Sequence, residues 1–370
     1  MKRWIVGVLP AVLLLSVVVL FGTLWMTRHG PKLTVASWAG QYGHAQASAL
    51  LVPFAGRSSI DVRLAIYDGG TVELARQVAA KQYAWDVVDL ELPDAVAACR
   101  QGLLEPIDAA TLPDGSNGAP AARDFVAGAI GPCWVGSVVY SQVIAYDPHR
   151  FGGREPSTLA DFFDLKKFPG PRALRRASPK LNLEMALLAD GVAPDEVYAA
   201  LSTPAGVARA LAKLDVIRSA LVWWSDKDPP AGMVANGRAA FSTILNGDVF
   251  DAATHHSELG VIWDRQLYEF EVFGIPKGNP KRAMAMDFIR FATQADNLAA
   301  VAGWVPYGPA RASALPAVGD NPELKIAMTP FLPTTQAHFS TAFAVDDEWW
   351  RLHGADVEPL WQAWLAKGKQ

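Results

Sequence analysis

A chain of 370 residues, 51% of them hydrophobic, has apolar surface enough for a substantial core and length enough for about two domains, which sets disorder aside. Charged residues make up 19% with a net charge of -4, and no Lys/Arg run is dense enough to form the basic footprint of a nucleic-acid binder.

Lys2 and Arg3 precede an almost unbroken apolar stretch from Trp4 to Met26, so residues 1–30 read as an export segment. About 20 apolar residues in a helix would cross the ~30 Å hydrocarbon core, which is long for a cleavable signal, and no small-x-small site closes the stretch. A long cleaved signal and an uncleaved inner-membrane anchor both stay open; on either reading the remainder is periplasmic. Cys99 and Cys133 are the only cysteines, and an exported compartment allows them to be joined as a disulfide.

Leu33 to Trp38 is a short apolar strand, followed by a loop through Gly43 and a helical pattern over 45–54. Val62 to Tyr67 makes a second strand, Asp68-Gly69-Gly70 a turn, Val72 to Lys81 a helix, and Trp85 to Leu90 a third strand. This alternation predicts an α/β domain with a mostly parallel sheet, whose ligands sit beyond the carboxyl ends of the strands. Trp38, Tyr42, Asp68 and Glu91 fall at those ends.

A strand over 135–146 leads into a second unit. Thr158 starts one helix, Ser178-Pro179 opens another that ends at Gly191, and Thr203-Pro204 opens a third through Ile217. Strands are predicted over 239–245 and 260–263, an amphipathic helix over 281–293, and a Trp-rich helix over 348–367. With no linker between two domains, the chain is expected to cross between them more than once. In the run Gln266 to Gly274, Glu269 and Glu271 are two apart and share one face, while Tyr268, Phe270 and Val272 take the other. That face is either a solvated edge or a place where charge is recognised.

No phosphate-binding Gly-rich loop, GxGxxG, HExxH or GxSxG elbow occurs. His255 and His256 are adjacent and therefore point to different faces, which argues against a metal site built on both. Neither a metal nor a cofactor is expected, and an enzyme is disfavoured.

Several segments together resemble the spermidine/putrescine-binding family of periplasmic solute-binding proteins: Val35 to Gly40, Trp85 to Glu91, Gly102 to Asp108, Thr158 to Asp164 with Phe168-Pro-Gly170, Phe273 to Gly278, and Ala285 to Phe291. The resemblance implies two α/β lobes of the type II binding-protein fold, with a mixed, mainly parallel sheet in each and a ligand cleft between them. Lobe one would hold 32–143 and 272–313, and lobe two 144–271 and 314–370. It further implies a monomeric, non-enzymatic subunit of an ABC importer that closes on a small polar, cationic solute, a polyamine or relative, and hands it to permease subunits in the membrane. A periplasmic enzyme on the same frame, or an anchored sensory protein, are the alternatives.

Polyamine recognition calls for carboxylates against ammonium groups and aromatic faces against methylenes. The resemblance assigns Glu269 and Glu271 to the amine, Glu91 to the first-lobe side of the cleft, and Trp38 and Tyr42 to its aromatic wall. Asn246-Gly247-Asp248 resembles the family's second-lobe turn, with Leu245 in place of its preceding Trp, and Tyr307 and Trp350 match late cleft positions. One departure stands out: where polyamine binders carry acids before a second-lobe helix, this chain reads Arg172 to Lys180, basic, with Asn182 and Glu184 the nearest substitutes. A monoamine, an amino acid derivative or an anion held by those arginines stays open.

Overall fold

The computed structural model describes residues 30–225 and 227–367, so the export segment lies outside the described residues. Among the described residues no helix is long and apolar enough to cross a membrane. The strands are β1 (Lys32–Ser37), β2 (Asp61–Ile66), β3 (Val87–Glu91), β4 (Val135–Tyr146), β5 (Arg172–Arg175), β6 (Leu221–Trp224), β7 (Phe241–Leu245) and β8 (Gly260–Gly274), with short β9 (Gly308–Pro309) and β10 (Phe343–Ala344).

They form one ten-stranded sheet whose eight main strands run in the order β2-β1-β3-β8-β4-β7-β5-β6, with β10 on β8 and β9 on β4. At one end β1 pairs parallel with β2 and β3; at the other β5 pairs parallel with β6 and β7. Between these triplets run β4 and β8, antiparallel to each other and to their outer neighbours. The two long strands are what the missing linker foreshadowed: each leaves one core and enters the other.

One core gathers Leu33 to Val139 with Tyr268 to Ala314, and another Ile144 to Leu267 with Phe343 to Leu365. The molecule is a two-lobed α/β protein. Its terminal helix, Asp347–Ala366, drives Trp361 and Trp364 into the second core. Cys99 and Cys133 are bonded, with Cα atoms 5.8 Å apart. Closing that 34-residue separation stabilises the first lobe by about 3 to 4 kcal/mol in the chain-entropy account.

Four differences from the sequence reading have physical causes. The helix expected over 45–54 begins at Gly40, whose φ of 76° turns the chain out of β1, and stays helical through a wide turn to Ser58. The helix expected from Ser178 begins at Asn182, because Leu181 adopts a φ of 70° and breaks the first turn. The strand expected to end at Trp263 continues as β8, the interruption being a bulge at Arg265, φ 56°. Arg172, read as part of a basic cleft loop, is fully buried in β5 and donates to the carbonyls of Phe162, Gly170, Asp164 and Phe168.

Candidate functional site

The carboxyl ends of β1 and β3, the middle of the crossing strands and the start of the helix Asn246–Thr254 converge on a cavity of about 440 Å³. Its lining brings together Trp38, Tyr42, Glu91, Asp248, Glu271 and Tyr307 of the expected residues, and adds Gln41, Tyr140 and Asp251. The local folding explains the convergence. β3 and β8 are in register so that Glu91 faces Glu271 across one ladder step. Gly43 lets the helix Gly40–Gln46 tuck under Trp38, since a Cβ there would stand 2.3 Å from the Trp38 carbonyl oxygen. Gly247 likewise admits Tyr307, whose ring would be 3.2 Å from an added Cβ.

Acids form the floor. The Trp38 indole donates to Glu271 at 2.9 Å. Glu271 is only 6% exposed, and burial, with the charge of Asp89 behind it, pushes its carboxyl well above the usual range. Burial also raises Glu91, partly offset by Lys180, and raises Asp248, reinforced by Asp251. The wall is aromatic: Tyr307 lies with its centroid 5.6 Å from that of Tyr42 and 6.1 Å from that of Tyr140. Burial pushes Tyr307 up to about 12 and also holds Tyr42 and Tyr140 well above the usual phenol value, so the three phenols stay neutral. An acid floor under neutral aromatic faces can desolvate an organic ammonium while compensating its charge.

Other expected residues do different work. Glu269 is bonded to Lys180, which also donates to Asp347 at 2.5 Å. Burial opposes the charge on Lys180, but the two carboxylates outweigh it and raise its pKa. Asn246 is fully buried: its side chain accepts from the Ser141 N–H at 2.9 Å and donates to the Pro306 carbonyl at 2.6 Å. Trp350 donates to Glu184, a buried acid that Tyr198 also contacts. Asp68 is exposed and outside the cavity lining. Arg175 and Arg176 lie over Trp224 and Trp223 and line a separate pocket, away from these acids.

Among the described residues no cluster of His, Cys, Asp and Glu could hold a metal ion. Sequence reasoning missed Tyr140, Ser137 and Lys180. Ser137 lies at a register shift of β4, and its Oγ is 2.9 Å from the Tyr42 hydroxyl.

Similarity to known proteins agrees with this geometry. The chain is 36% identical over 336 residues, 91% of each chain, to the gamma-aminobutyric acid-binding protein of Pseudomonas aeruginosa. A solved GABA receptor is 28% identical with a TM-score of 0.71, covering 90% of this chain and 97% of its own. An ABC transporter substrate-binding protein from Bradyrhizobium japonicum is 28% identical with a TM-score of 0.74, covering 90% and 99%. The polyamine first expected finds a likeness of fold: a spermidine/putrescine-binding protein from Streptococcus pneumoniae is 15% identical with a TM-score of 0.69, covering 90% of this chain and 99% of its own. A model described as bacterial extracellular solute-binding protein matches residues 49–326, three quarters of the chain, and with the two-lobed fold and the cleft it carries the conclusion that this chain belongs to that family of binding proteins, which are not enzymes.

Proposed function

We propose that the protein is the capture subunit of an ABC importer, and that its solute is a small ω-amino compound, with γ-aminobutyrate ahead of the diamine and polyamine first expected. The observation that carries this reading is the Glu91–Glu271 pair on the cleft floor, with the Trp38 indole on one carboxylate and Tyr42, Tyr140 and Tyr307 around it. The solute's ammonium would rest on Glu271 and Glu91 and its methylenes on the tyrosines. A carboxylate at the far end would meet Gln41, the phenols and the backbone N–H groups that open the helix Asn246–Thr254, where the helix dipole favours an anion. The names of the relatives support γ-aminobutyrate; the surplus of acids over bases in the cleft keeps putrescine in the comparison.

The lobes would meet on β4 and β8, with 32–143 and 272–313 on one side and 144–271 and 314–370 on the other. Closure about those strands would present the loaded form to permease subunits, and the protein would act as a periplasmic monomer exported by its first 30 residues.

A panel of γ-aminobutyrate, putrescine, spermidine and arginine, read by thermal shift and calorimetry near pH 8, tests the reading. A ligand at one hundred times its Kd stabilises the fold by about 2.7 kcal/mol, and Glu271→Gln is expected to abolish that response. If no ammonium compound stabilises the protein, the cationic-pole reading is wrong.

A further inference from the structure

Beneath the cavity lies a second acid that the solute would not touch. Asp89 of β3 is fully buried and accepts from the Ser37 hydroxyl at 3.0 Å and the Gln46 amide at 2.7 Å. Ser137 connects it to the floor: its Oγ is 3.5 Å from Asp89 Oδ1, 3.3 Å from the Glu271 carbonyl oxygen and 2.9 Å from the Tyr42 hydroxyl.

The groups facing this pair come from every neighbouring element, and the charged ones share a sign. β1 and the loop after it bring Ser37 and Trp38, the helix Gly40–Gln46 brings Tyr42 and Gln46, and β3 brings Asp89 and Glu91. β4 brings Ser137 and Tyr140, β8 itself brings Glu269, and Tyr67 and Tyr307 close the outer side. Among the described residues no Lys, Arg or His forms an ion pair with Asp89, Glu91 or Glu271. Lys180, whose charge reaches Glu91, is already bonded to Glu269 and Asp347. Neighbouring carboxylates withdrawn from water with no countercharge do not all ionise; one keeps its proton.

We propose that the Glu271–Asp89 pair is a proton-binding site and that capture of the solute's ammonium expels this proton, so that the protein exchanges one cation for another. This rests on the cationic-pole reading above. When the ammonium arrives at Glu271, the carboxylic O–H bond breaks, its electron pair stays on the carboxylate, and the proton leaves to solvent. Net charge on the floor is the same before and after. Burial, with the Asp89 charge, raises Glu271, and burial raises Asp89 to about 7 against the hydrogen bonds it accepts, so the pair holds a proton at pH values where ordinary carboxylates do not.

The sign follows: affinity rises with pH while the free site is protonated, up to about tenfold per unit for one proton released, and levels off once it is ionised. The experiment is calorimetric titration of the intact exported protein with γ-aminobutyrate and putrescine, at pH 6.5, in phosphate and in imidazole buffers. For whichever compound binds, the observed heat is expected to shift between buffers in proportion to their ionisation heats, with close to one proton released per solute. Asp89→Asn, which keeps an acceptor oxygen but removes the neighbouring charge, is expected to move the affinity drop to lower pH. Binding with buffer-independent heat and a flat pH profile overturns the exchange and leaves the solute reading standing. No binding of either compound at any pH from 5.5 to 9 removes the solute reading and the exchange with it.

Discussion

At the residue scale, the indole of Trp38 is the contact on which the floor turns. It is the one hydrogen bond that the Glu271 carboxylate receives from a neighbouring side chain among the described residues, and it favours the ionised form against burial. Trp38→Phe keeps most of the aromatic face and removes that donor. It is expected to weaken solute binding about tenfold at pH 7, consistent with loss of one hydrogen bond to a charged group, and less at pH 9. Equal weakening at both pH values would show that the indole contributes only packing. How much of this was legible varies by residue. Glu271 was readable because alternation along β8 sets it on the face opposite Phe270 and Val272. Glu269 shares that face and still does a different job, since its partner Lys180 arrives from 89 positions away through a left-handed Leu181 that no pattern announces. Asn246 resembled a ligand contact and is instead a staple between β4 and the Pro306 carbonyl. A carboxamide looks the same in sequence whichever of these it does.

At the element scale, the crossing strands and the N-terminus of the last helix make a joint whose polar centre is Lys180 between Glu269 and Asp347. The two acids come from β8 and from the first turn of the helix Asp347–Ala366, so the lysine ties a crossing strand to the second lobe's final helix. Lys180→Met would fill the volume and leave the carboxylates facing each other. A loss of about 3 kcal/mol is expected in urea denaturation at pH 7.5, the range for removing one partner of a buried pair. A loss under about 1 kcal/mol would reduce the triad to a surface-type ion pair. In the second lobe local periodicity supplied β7 alone, since β5 and β6 are four-residue strands, one of them inside a basic run, too short for alternation to show. In the first it supplied the parallel triplet, because its βαβ units are written in contiguous residues. The central β8–β4 pairing was not written that way. It joins residues more than a hundred positions apart, and the bulge at Arg265 interrupted the alternation that would have revealed one long strand.

At the scale of the whole molecule, the acids that equip the cleft oppose the stability of the unfilled protein. Burial raises Asp89 and Asp347 to about 7, Asp347 with help from Glu269, and it lifts Glu271, Glu91, Asp248 and Glu184 above their ordinary values. In the unfolded chain all of these ionise near pH 4. Between about pH 4 and 7 the folded state therefore holds more protons than the unfolded one, and stability falls as pH rises, by about 1.4 kcal/mol per unit for each extra proton held. Two sets of groups act against this trend. Asp161 and Glu105, kept below the usual range by hydrogen bonds and lysines despite burial, lose their contribution only as pH drops below about 4. His338, lowered by burial, favours the folded state above about pH 6. One imidazole does not offset several carboxylates, so the Tm of the solute-free protein is expected to decline from pH 5 to pH 8. A saturating ammonium solute supplies the countercharge that the proton otherwise provides, and the loaded protein should hold its Tm across the same range. Scanning fluorimetry at pH 5, 6, 7 and 8, with and without solute, measures both slopes. A solute-free Tm that climbs from pH 5 to 7 would mean that the floor acids are compensated from within the fold, and that the cleft does not depend on its cargo for charge.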